Sequence, residues 1–540
     1  MKTIASNRYL DQKPGTSGLR KRVSVFQQAD YLETYIQSIF DCIPEFIGGK
    51  ICLGGDGRYY NDVAINVIIG MAASNGVSEV ILGRDGILST PAASHLIRKM
   101  KLDGGFVLSA SHNPGGPKGD FGIKLNLENG GPAPAHVTDK IHKTSCELEH
   151  YRKIEVDLDM TQVSEQKIGG LTVRIIDPVV DFANLMEECF DFPAISRLLS
   201  GDFKMRFDAL HAVTGPYAKE IFCERLGVDA SALQNARPLP DFGGGHPDPN
   251  PVYAKALFDT MFGDDAPQFG AASDGDGDRY IVLGPNQYVS PSDSLAIIAA
   301  NAHLAPGYSD GISGIARSMP TSRAADQVAE KLSVPCFETP TGWKYFGNLL
   351  EAGHITICGE ESAGTSSDHI REKDGLWAIL MWLNILAARG QSVAEIVNDH
   401  WKTYGRHYYT RHDYEAVDAG SAKTVMESLR DQLAALPGQS LLGETITQAD
   451  SFSYTDPVDG SVAENQGLRV YFESGSRIVF RLSGTGTVGA TVRLYVERYE
   501  AKDGDHSYDL ADATENLAEI ANQLTNLKAT LGRDVPSVIS

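Results

Sequence analysis

Cysteine is scarce and unpatterned: seven residues in 540 (positions 42, 52, 146, 189, 223, 336 and 358), none in Cys-x-x-Cys spacing. The odd number and the scatter favour reduced, mostly structural thiols in the cytosol over a disulfide framework or a cysteine-ligated zinc site. Positive charge is also short, 48 Lys and Arg against 70 Asp and Glu, for a formal net charge of −22. Such a balance argues against nucleic-acid and anionic-membrane partners, and a phosphorylated substrate would need a locally positive pocket. Long hydrophobic runs are missing. The most apolar stretch, 376–388, is too short to cross a bilayer, carries Asn384 and reads as a core helix. Residues 1–8 hold no apolar segment of the kind a secretory signal needs, so a cytoplasmic location is expected.

What is present, 42% hydrophobic and 22% charged residues, is the composition of a globular protein, and 540 residues are too many for one core. Strand and helix patterns alternate along most of the chain. A first β-α-β-α-β unit reads as a strand at 51–53, a helix over 62–71 capped by Asp62, a strand at 80–82, a helix opened by Thr90-Pro91, and a strand at 106–108. A second has strands at 205–210, 269–273 and 280–283 and a helix over 216–226. A third has strands at 312–315, 334–337 and 355–358 and a helix over 322–331. After Tyr404 short strands (469–472, 477–482) mix with helices, the last over 517–531. The fold class is therefore α/β, with three similar α/β domains (1–180, 181–300, 301–400) and a C-terminal α+β domain (401–540).

Each α/β unit carries an unusual polar loop at a strand end, where open α/β sheets place their chemistry. The first, Ser109-Ala110-Ser111-His112-Asn113-Pro114-Gly115-Gly116, sets a hydroxyl, an imidazole and an amide side by side. On local grounds it reads equally as an Asn-Pro turn with Ser111 and His112 solvated. The second is Asp274-Gly275-Asp276-Gly277-Asp278-Arg279. Three carboxylates separated by glycines can fold onto one hard divalent cation, and their mutual repulsion disfavours a solvated turn. A calcium EF-hand is excluded, since Arg279 stands where its turn glycine belongs and Pro285 where its bidentate glutamate belongs. Mg²⁺ suits such a loop, with a phosphate oxygen as the missing ligand. The third loop, Gly359-Glu360-Glu361-Ser362-Ala363-Gly364, either offers Glu360 and Ser362 to sugar hydroxyls or is a surface turn. Further on, Arg481-Leu482-Ser483-Gly484-Thr485-Gly486 with Arg493 forms either an anion cradle or a glycine-rich hairpin. Residues 13–22 are an anion-facing loop or a solvated basic one, and Lys373 is a proton carrier if buried and an ordinary lysine if solvated. One chemistry uses a hydroxyl nucleophile, a Mg²⁺ site, a separate phosphate cradle and a polyol-reading turn together: phosphoryl transfer to and from a sugar phosphate.

These loops, in this order, resemble those of the α-D-phosphohexomutases, from Asp11-Gln12-Lys13-Pro14-Gly15-Thr16-Ser17-Gly18 to about Glu497. Residues 110–116 are similar to the family's phosphoserine loop, 274–279 to its Mg²⁺ loop, 359–362 to its sugar-specificity loop and 481–485 to its phosphate loop. The wording of Ser367-Asp368-His369-Ile370-Arg371-Glu372-Lys373-Asp374-Gly375 is similar to the glucose branch. The resemblance implies four domains around a deep cleft and an intramolecular phosphotransferase interconverting α-D-glucose 1-phosphate and glucose 6-phosphate. It implies Ser111 as phosphoryl carrier, its phosphate oxygen joining Asp274, Asp276 and Asp278 around Mg²⁺, with glucose 1,6-bisphosphate as activator and intermediate. Arg481, Ser483, Gly484, Thr485 and Arg493 would hold the phosphate that is not reacting. Glu360 and Ser362 would read the sugar, with Thr341 and Gly342 nearby. Lys373 would act as general acid and base with His112 assisting, and Thr16, Arg20, Lys124 and Arg279 would complete the substrate side. The expected partners are small sugar phosphates, with no nucleic acid and no membrane, and the protein a monomer or weak dimer. Three positions depart from the pattern: Ala363 and Ser366 stand where Phe and Gly are expected, and Tyr280 where a smaller polar residue is expected. A non-catalytic adhesion relative would tolerate damaged loops, and these are complete; a mannose-preferring mutase is the other variant reading.

Overall fold

The computed structural model describes residues 2–486 and 489–540. The chain divides into two compact units, one formed by Met1–Val289, Asn301–Ser313 and Gly342–Ala394, the other by Ser290–Ala300, Gly314–Thr341 and Glu395–Ser540.

In the first unit, β1 (Leu19–Arg22), β2 (Lys50–Gly55), β3 (Glu79–Ile87), β4 (Gly104–Leu108), β5 (Asp120–Leu127), β6 (Ser164–Ile168) and β7 (Leu171–Ile176) form one sheet in the order β1-β5-β4-β2-β3-β7-β6. Strands β4, β2, β3 and β7 are parallel, and the others run antiparallel to their neighbours. The inner strands are buried on both faces, which is why they read as short apolar runs without alternation. Helices α1 (Tyr31–Cys42) and α2 (Asn61–Asn75) pack Ile36, Ile39, Ile65 and Ile68 into the same core as Leu53, Phe106 and Leu108. Asp62 lies in the first turn of α2 and does not cap it; the residue before the helix is Tyr60, at φ +83°. Helix α3 (Thr90–Met100) opens on Ser89, whose hydroxyl accepts the Ala92 N–H at 3.2 Å.

A second sheet comprises β8 (Met205–Asp208), β9 (Leu233–Gln234), β10 (Phe269–Ser273), β11 (Tyr280–Gly284) and β12 (Gln287–Val289), in the order β9-β8-β10-β11-β12. Strands β9, β8 and β10 are parallel, and β10, β11 and β12 form an antiparallel meander. The helix expected over 216–226 starts at Thr214 and widens into a π-helix over Lys219–Arg225. Helix α4 (Gly375–Arg389) is buried from Gly375 through Leu386, the core helix its composition predicts. No described helix is long and apolar enough to cross a membrane.

The strands of the third module, Ile315–Ser318, Cys336–Thr339 and Ile357–Glu360, each end two or three residues beyond the positions expected for them. The expectation stopped at polar residues that the structure shelters. Arg317 is buried between Asp326 and Glu338, and buried Glu360 accepts the Gly342 N–H at 2.8 Å.

The second unit contains an antiparallel sheet with Ser440–Leu441, Glu444–Ser451, Leu468–Phe472, Arg477–Gly486, Gly489–Glu500, Arg406–Val417 and Val538–Ile539 in that spatial order. Helices Ala419–Arg430 and Leu510–Thr525 pack Val425, Leu429, Leu517 and Ile520 with Val470, Ile478 and Val492. The single terminal helix expected over 517–531 is two, Leu510–Thr525 and Leu527–Leu531, broken at Asn526 (φ +49°).

A buried ion network runs through this unit. Glu338 binds Arg317 at 2.9 Å and also Arg469, while Arg477 binds Glu497 at 2.5 Å and His407 Nδ1 lies 2.6 Å from the same carboxylate. Burial pushes the Glu497 carboxyl up, but Arg477 and His407 override it and hold it well below the usual range. A carboxylate depressed on folding stabilises fully above its unfolded value of about 4.3, and that stabilisation is lost as pH falls toward the depressed value. Arg477→Met is accordingly expected to flatten the fall in urea midpoint of this unit between about pH 5 and pH 3, measured by circular dichroism against the parent chain.

Candidate active site

The loop after β4 turns sharply at Ser111, whose φ of +52° places a non-glycine residue in the left-handed region. Buried polar groups hold it there. The Ser111 N–H donates to Ser109 Oγ at 2.7 Å, and the Ser111 carbonyl accepts from Arg58 at 2.7 Å. Arg58 also donates to the Asp120 carbonyl (2.9 Å) and to Asp56 (2.8 Å), and Ser109 Oγ donates to Asp56 at 2.5 Å. The side chains of Asp56 and Arg58 are fully enclosed. Ser109 opens the loop read from the sequence without a role of its own, and Asp56 and Arg58 are not among the residues expected. Their signal lay in Asp56-Gly57-Arg58, which follows strand β2 at the same sheet edge where the Ser111 loop follows β4.

The Ser111 hydroxyl, itself buried, donates to Asp274 Oδ2 at 2.8 Å. Asp274, Asp276 and Asp278 are all buried, with one carboxylate oxygen from each lying within 4.8 Å of the others. The loop closes on itself, since Asp274 Oδ1 accepts the N–H groups of Asp278 and Arg279, both at 3.0 Å. Glycine is required at both spacers: a Cβ on Gly275 would fall 2.3 Å from the Ser111 carbonyl oxygen, and Gly277 has φ +81°. Lys124 bonds Asp276 and lies 3.1 Å from Asp278, Thr90 bonds Asp276, and Lys373 Nζ lies 3.3 Å from Asp278. Even so, Asp276 Oδ1 and Asp278 Oδ1 are buried without a hydrogen-bond partner. Two orphaned carboxylate oxygens beside a third carboxylate and a hydroxyl form an all-oxygen donor set that fits a hard divalent cation.

Electrostatics separate the three aspartates. Burial, Asp278 and Asp276 push the Asp274 carboxyl well above its usual range. Burial also raises Asp278, but Lys124, Lys373 and Arg279 overcome it and hold it far below. Burial pushes Glu372, which accepts from Asn126 at 3.0 Å, up to about 7 against the pull of Lys124. His112 Nδ1 is 3.4 Å from Ser111 Oγ; burial and the nearby Arg279 and Arg20 push the imidazole well below its usual value, so it is neutral at pH 7. Arg20 is a cation of another kind: its Nε is buried and has no hydrogen-bond partner. A buried guanidinium nitrogen without an acceptor suits an incoming anion.

Further groups line the same unit. Gly342 (φ +126°) gives its N–H to Glu360, and Trp343 Nε1 donates to the Arg371 carbonyl at 3.2 Å. One cavity is lined by Thr16, Lys124, Asp278, Trp343, Glu372 and Lys373. Ser362 is half-buried in the turn after Glu360. Two departures meet here: the Tyr280 N–H donates to the Ala363 carbonyl at 3.1 Å, and its phenol donates to Thr365 Oγ1 at 3.2 Å. Ala363 sits at φ +70°, so Tyr280 ties down a strained turn from the strand that leaves the aspartate loop. The third departure, Ser366, has a buried hydroxyl with no hydrogen-bond partner.

In the second unit Thr341 Oγ1 is buried without a hydrogen-bond partner. Arg481 and Arg493 face each other directly across adjacent strands. Arg493 Nε is 3.6 Å from Asp413, and Arg481 Nε reaches the Gln466 carbonyl at 3.3 Å. Ser483 is half-buried on the same strand; the burial of Gly484 and the side chain of Thr485 lie outside what is described. Like charges directly opposite each other destabilise a sheet, and the Asp413 carboxylate beside Arg493 offsets part of that repulsion.

Four family models cover nearly the whole chain: phosphoglucomutase/phosphomannomutase α/β/α domain I at residues 11–152, domain II at 181–287 and domain III at 291–404, and the phosphoglucomutase-1 C-terminal domain at 406–537. A phosphoglucomutase of Rhizobium radiobacter is 58% identical over 100% of both chains. The chain belongs to the phosphoglucomutase/phosphomannomutase family. Human phosphoglucomutase-1 is a further relative, 50% identical over 100% of this chain and 99% of its own. The family fold is matched in full by the open form of the Paramecium phosphoprotein pp63/parafusin, a phosphoglucomutase, with TM-score 0.94 and 45% identity over 100% of this chain and 99% of that one. Three α/β/α domains followed by a C-terminal domain are thus the fold.

Proposed function

We propose that this protein interconverts α-D-glucose 1-phosphate and glucose 6-phosphate, with Ser111 as the phosphoryl carrier and glucose 1,6-bisphosphate as intermediate and activator. The observation that carries this reading is the buried Ser111 hydroxyl bonded to Asp274 inside a group of three aspartates with two unpartnered oxygens. Relatives at 50% and 58% identity over full length carry the name of this activity.

Asp274, Asp276, Asp278 and Ser111 would hold Mg²⁺, which when bound offsets the charge that develops on the transferring phosphoryl oxygens. In the forward half-reaction the bond between phosphorus and Ser111 Oγ breaks while the free sugar hydroxyl oxygen bonds to phosphorus. The hydroxyl proton passes to the Lys373 amine, and the Ser111 oxygen keeps the electron pair of the broken bond. In the return half-reaction Ser111 Oγ attacks the other phosphate of the bisphosphate, and Lys373 gives a proton to the departing sugar oxygen. His112 and Arg279 flank the reacting oxygens, and Arg20 supplies an unpaired guanidinium nitrogen. Lys124, buried against Asp276 and Asp278, keeps the aspartates ionised and in register. Arg481, Ser483, Gly484, Thr485 and Arg493 bind the phosphate that is not reacting. Glu360 and Ser362, with Thr16, Thr341 and Gly342, read the sugar. The domains run 1–180, 181–300, 301–400 and 401–540. The seven unpaired cysteines support a cytosolic setting, and the partners are small sugar phosphates, for a monomer or weak dimer.

Intact-mass analysis before and after glucose 1,6-bisphosphate tests this reading, with a coupled assay on glucose 1-phosphate and mannose 1-phosphate. A gain of one phosphoryl group on the Ser111 peptide and turnover of the glucose ester are expected. No glucose 6-phosphate above a Ser111→Ala control would overturn it.

Tyr280→Phe removes one hydrogen bond from the turn that carries Glu360 and Ser362, about 1 kcal/mol. The expected result is a KM for glucose 1-phosphate raised about threefold to fivefold with little change in kcat, read from steady-state kinetics.

A further inference from the structure

Behind Lys373 lies a closed ring of side-chain hydrogen bonds. Trp377 Nε1 donates to the Tyr308 hydroxyl oxygen at 2.7 Å, and the Tyr308 and Ser367 hydroxyls are 2.5 Å apart. Ser367 Oγ is 2.7 Å from His369 Nδ1, and His369 Nε2 is 3.0 Å from Asp374 Oδ2. The other Asp374 oxygen accepts the Trp377 backbone N–H at 3.0 Å, which closes the circuit. Ser367, Asp374 and Trp377 are fully buried, and the His369 ring stacks on the Trp377 indole at 5.4 Å. Serine, histidine and aspartate stand here in the sequence of a hydrolytic triad. Ser367 is sealed within its strand, however, and no substrate reaches its hydroxyl.

The two ends of the ring have fixed roles: the indole N–H only donates and a carboxylate only accepts. Asp374 accordingly accepts the His369 Nε2–H, and the Tyr308 and Ser367 hydroxyls, which can each donate and accept, link His369 Nδ1 to the indole, so every member of the ring has a partner.

We propose that Tyr308, Ser367 and His369 are positioning residues for the proton-transferring lysine, clamping residues 368–374 so that Lys373 Nζ stays against Asp278. The proposal rests on the reading of Lys373 as general acid and base. Lys373 lies between ring members at 369 and 374, and its Nζ is 3.3 Å from Asp278. The residues between them are pinned as well: the Arg371 N–H donates to Ser94 at 2.9 Å, and the Gly375 N–H to the Gly277 carbonyl at 3.1 Å. A Cβ on Gly364 would fall 2.2 Å from Lys373 Cδ, so the lysine stem packs directly against this glycine. A ring that fixes both ends of this segment converts a flexible four-carbon side chain into a preorganised one.

The test uses the full chain. Tyr308→Phe removes one hydroxyl at constant shape, His369→Gln breaks the centre of the ring, and Ile379→Val trims the neighbouring helix core as a packing control. The two ring variants are expected to lower kcat about tenfold with KM within about twofold of the parent, and the control to leave kcat unchanged. In ¹⁵N-histidine-labelled parent protein, His369 is expected to carry a slowly exchanging Nε2–H, held by Asp374. Ring variants that turn over like the parent, a control that loses kcat as they do, or a His369 Nε2 nitrogen that carries no protected proton would each overturn the proposal. Failure of the functional reading looks different: the parent itself would make no glucose 6-phosphate.

Discussion

Arg58→Met is expected to destabilise the N-terminal unit by about 3–5 kcal/mol and to lower kcat about a hundredfold. The two losses have separate causes. The Arg58 side chain is wholly enclosed against Asp56, so its removal strands a buried carboxylate whose proton affinity burial already raises. The same guanidinium holds the Ser111 carbonyl at 2.7 Å, and without it the left-handed turn loses its anchor. Urea unfolding followed by tryptophan fluorescence reads the first effect and steady-state kinetics the second. The double variant Asp56→Leu, Arg58→Met separates them: removing the stranded charge should restore much of the urea midpoint and none of the kcat. Full recovery of both would show that Arg58 acts only as a counter-ion.

Asp278→Asn is expected to reduce turnover by about 10²–10³-fold. One carboxylate oxygen of Asp278 is shared between Lys124 Nζ and Lys373 Nζ, at 3.1 and 3.3 Å, while its second oxygen has no hydrogen-bond partner. An amide keeps the volume and loses the charge, so two lysines lose their common anchor together with one cation ligand. The deficit should persist when Mg²⁺ is raised to saturation. Recovery of parent turnover at high Mg²⁺ would confine the role of Asp278 to the metal.

Much of this site is legible in the chain itself, because its parts follow short apolar strands and carry residue types that a solvated loop does not need. The aspartate run announces itself by spacing, with glycine where a Cβ would strike Ser111, whereas the Ser111 loop reads equally as a turn until the other loops give it partners. Less visible were the groups that act by being buried and paired. Asp56 and Arg58 look like an ordinary charged turn until the structure encloses both. Arg317 and Glu360 marked false strand ends because a charged side chain reads as exposed, whereas hydrogen bonds to distant segments make their burial tolerable. Long-range pairing of this kind leaves no periodic trace. The Tyr280 and Ala363 departures are separated by many residues, and only contact across the fold joins them.

The backbone at Ser111 also bears on which residue can carry phosphate. Threonine would bring the same nucleophilic oxygen, the same pairing with Asp274 and the same capacity for a phosphate ester. A β-branched side chain at φ +52°, however, crowds its own carbonyl in a region such residues almost never occupy. The choice between two chemically equivalent alcohols is made by the turn, before any substrate arrives. The fold thereby closes one route of substitution that the proposed reaction would leave open, and with Ser111 in the proposed role the carrier would be serine for reasons of stereochemistry more than of reactivity.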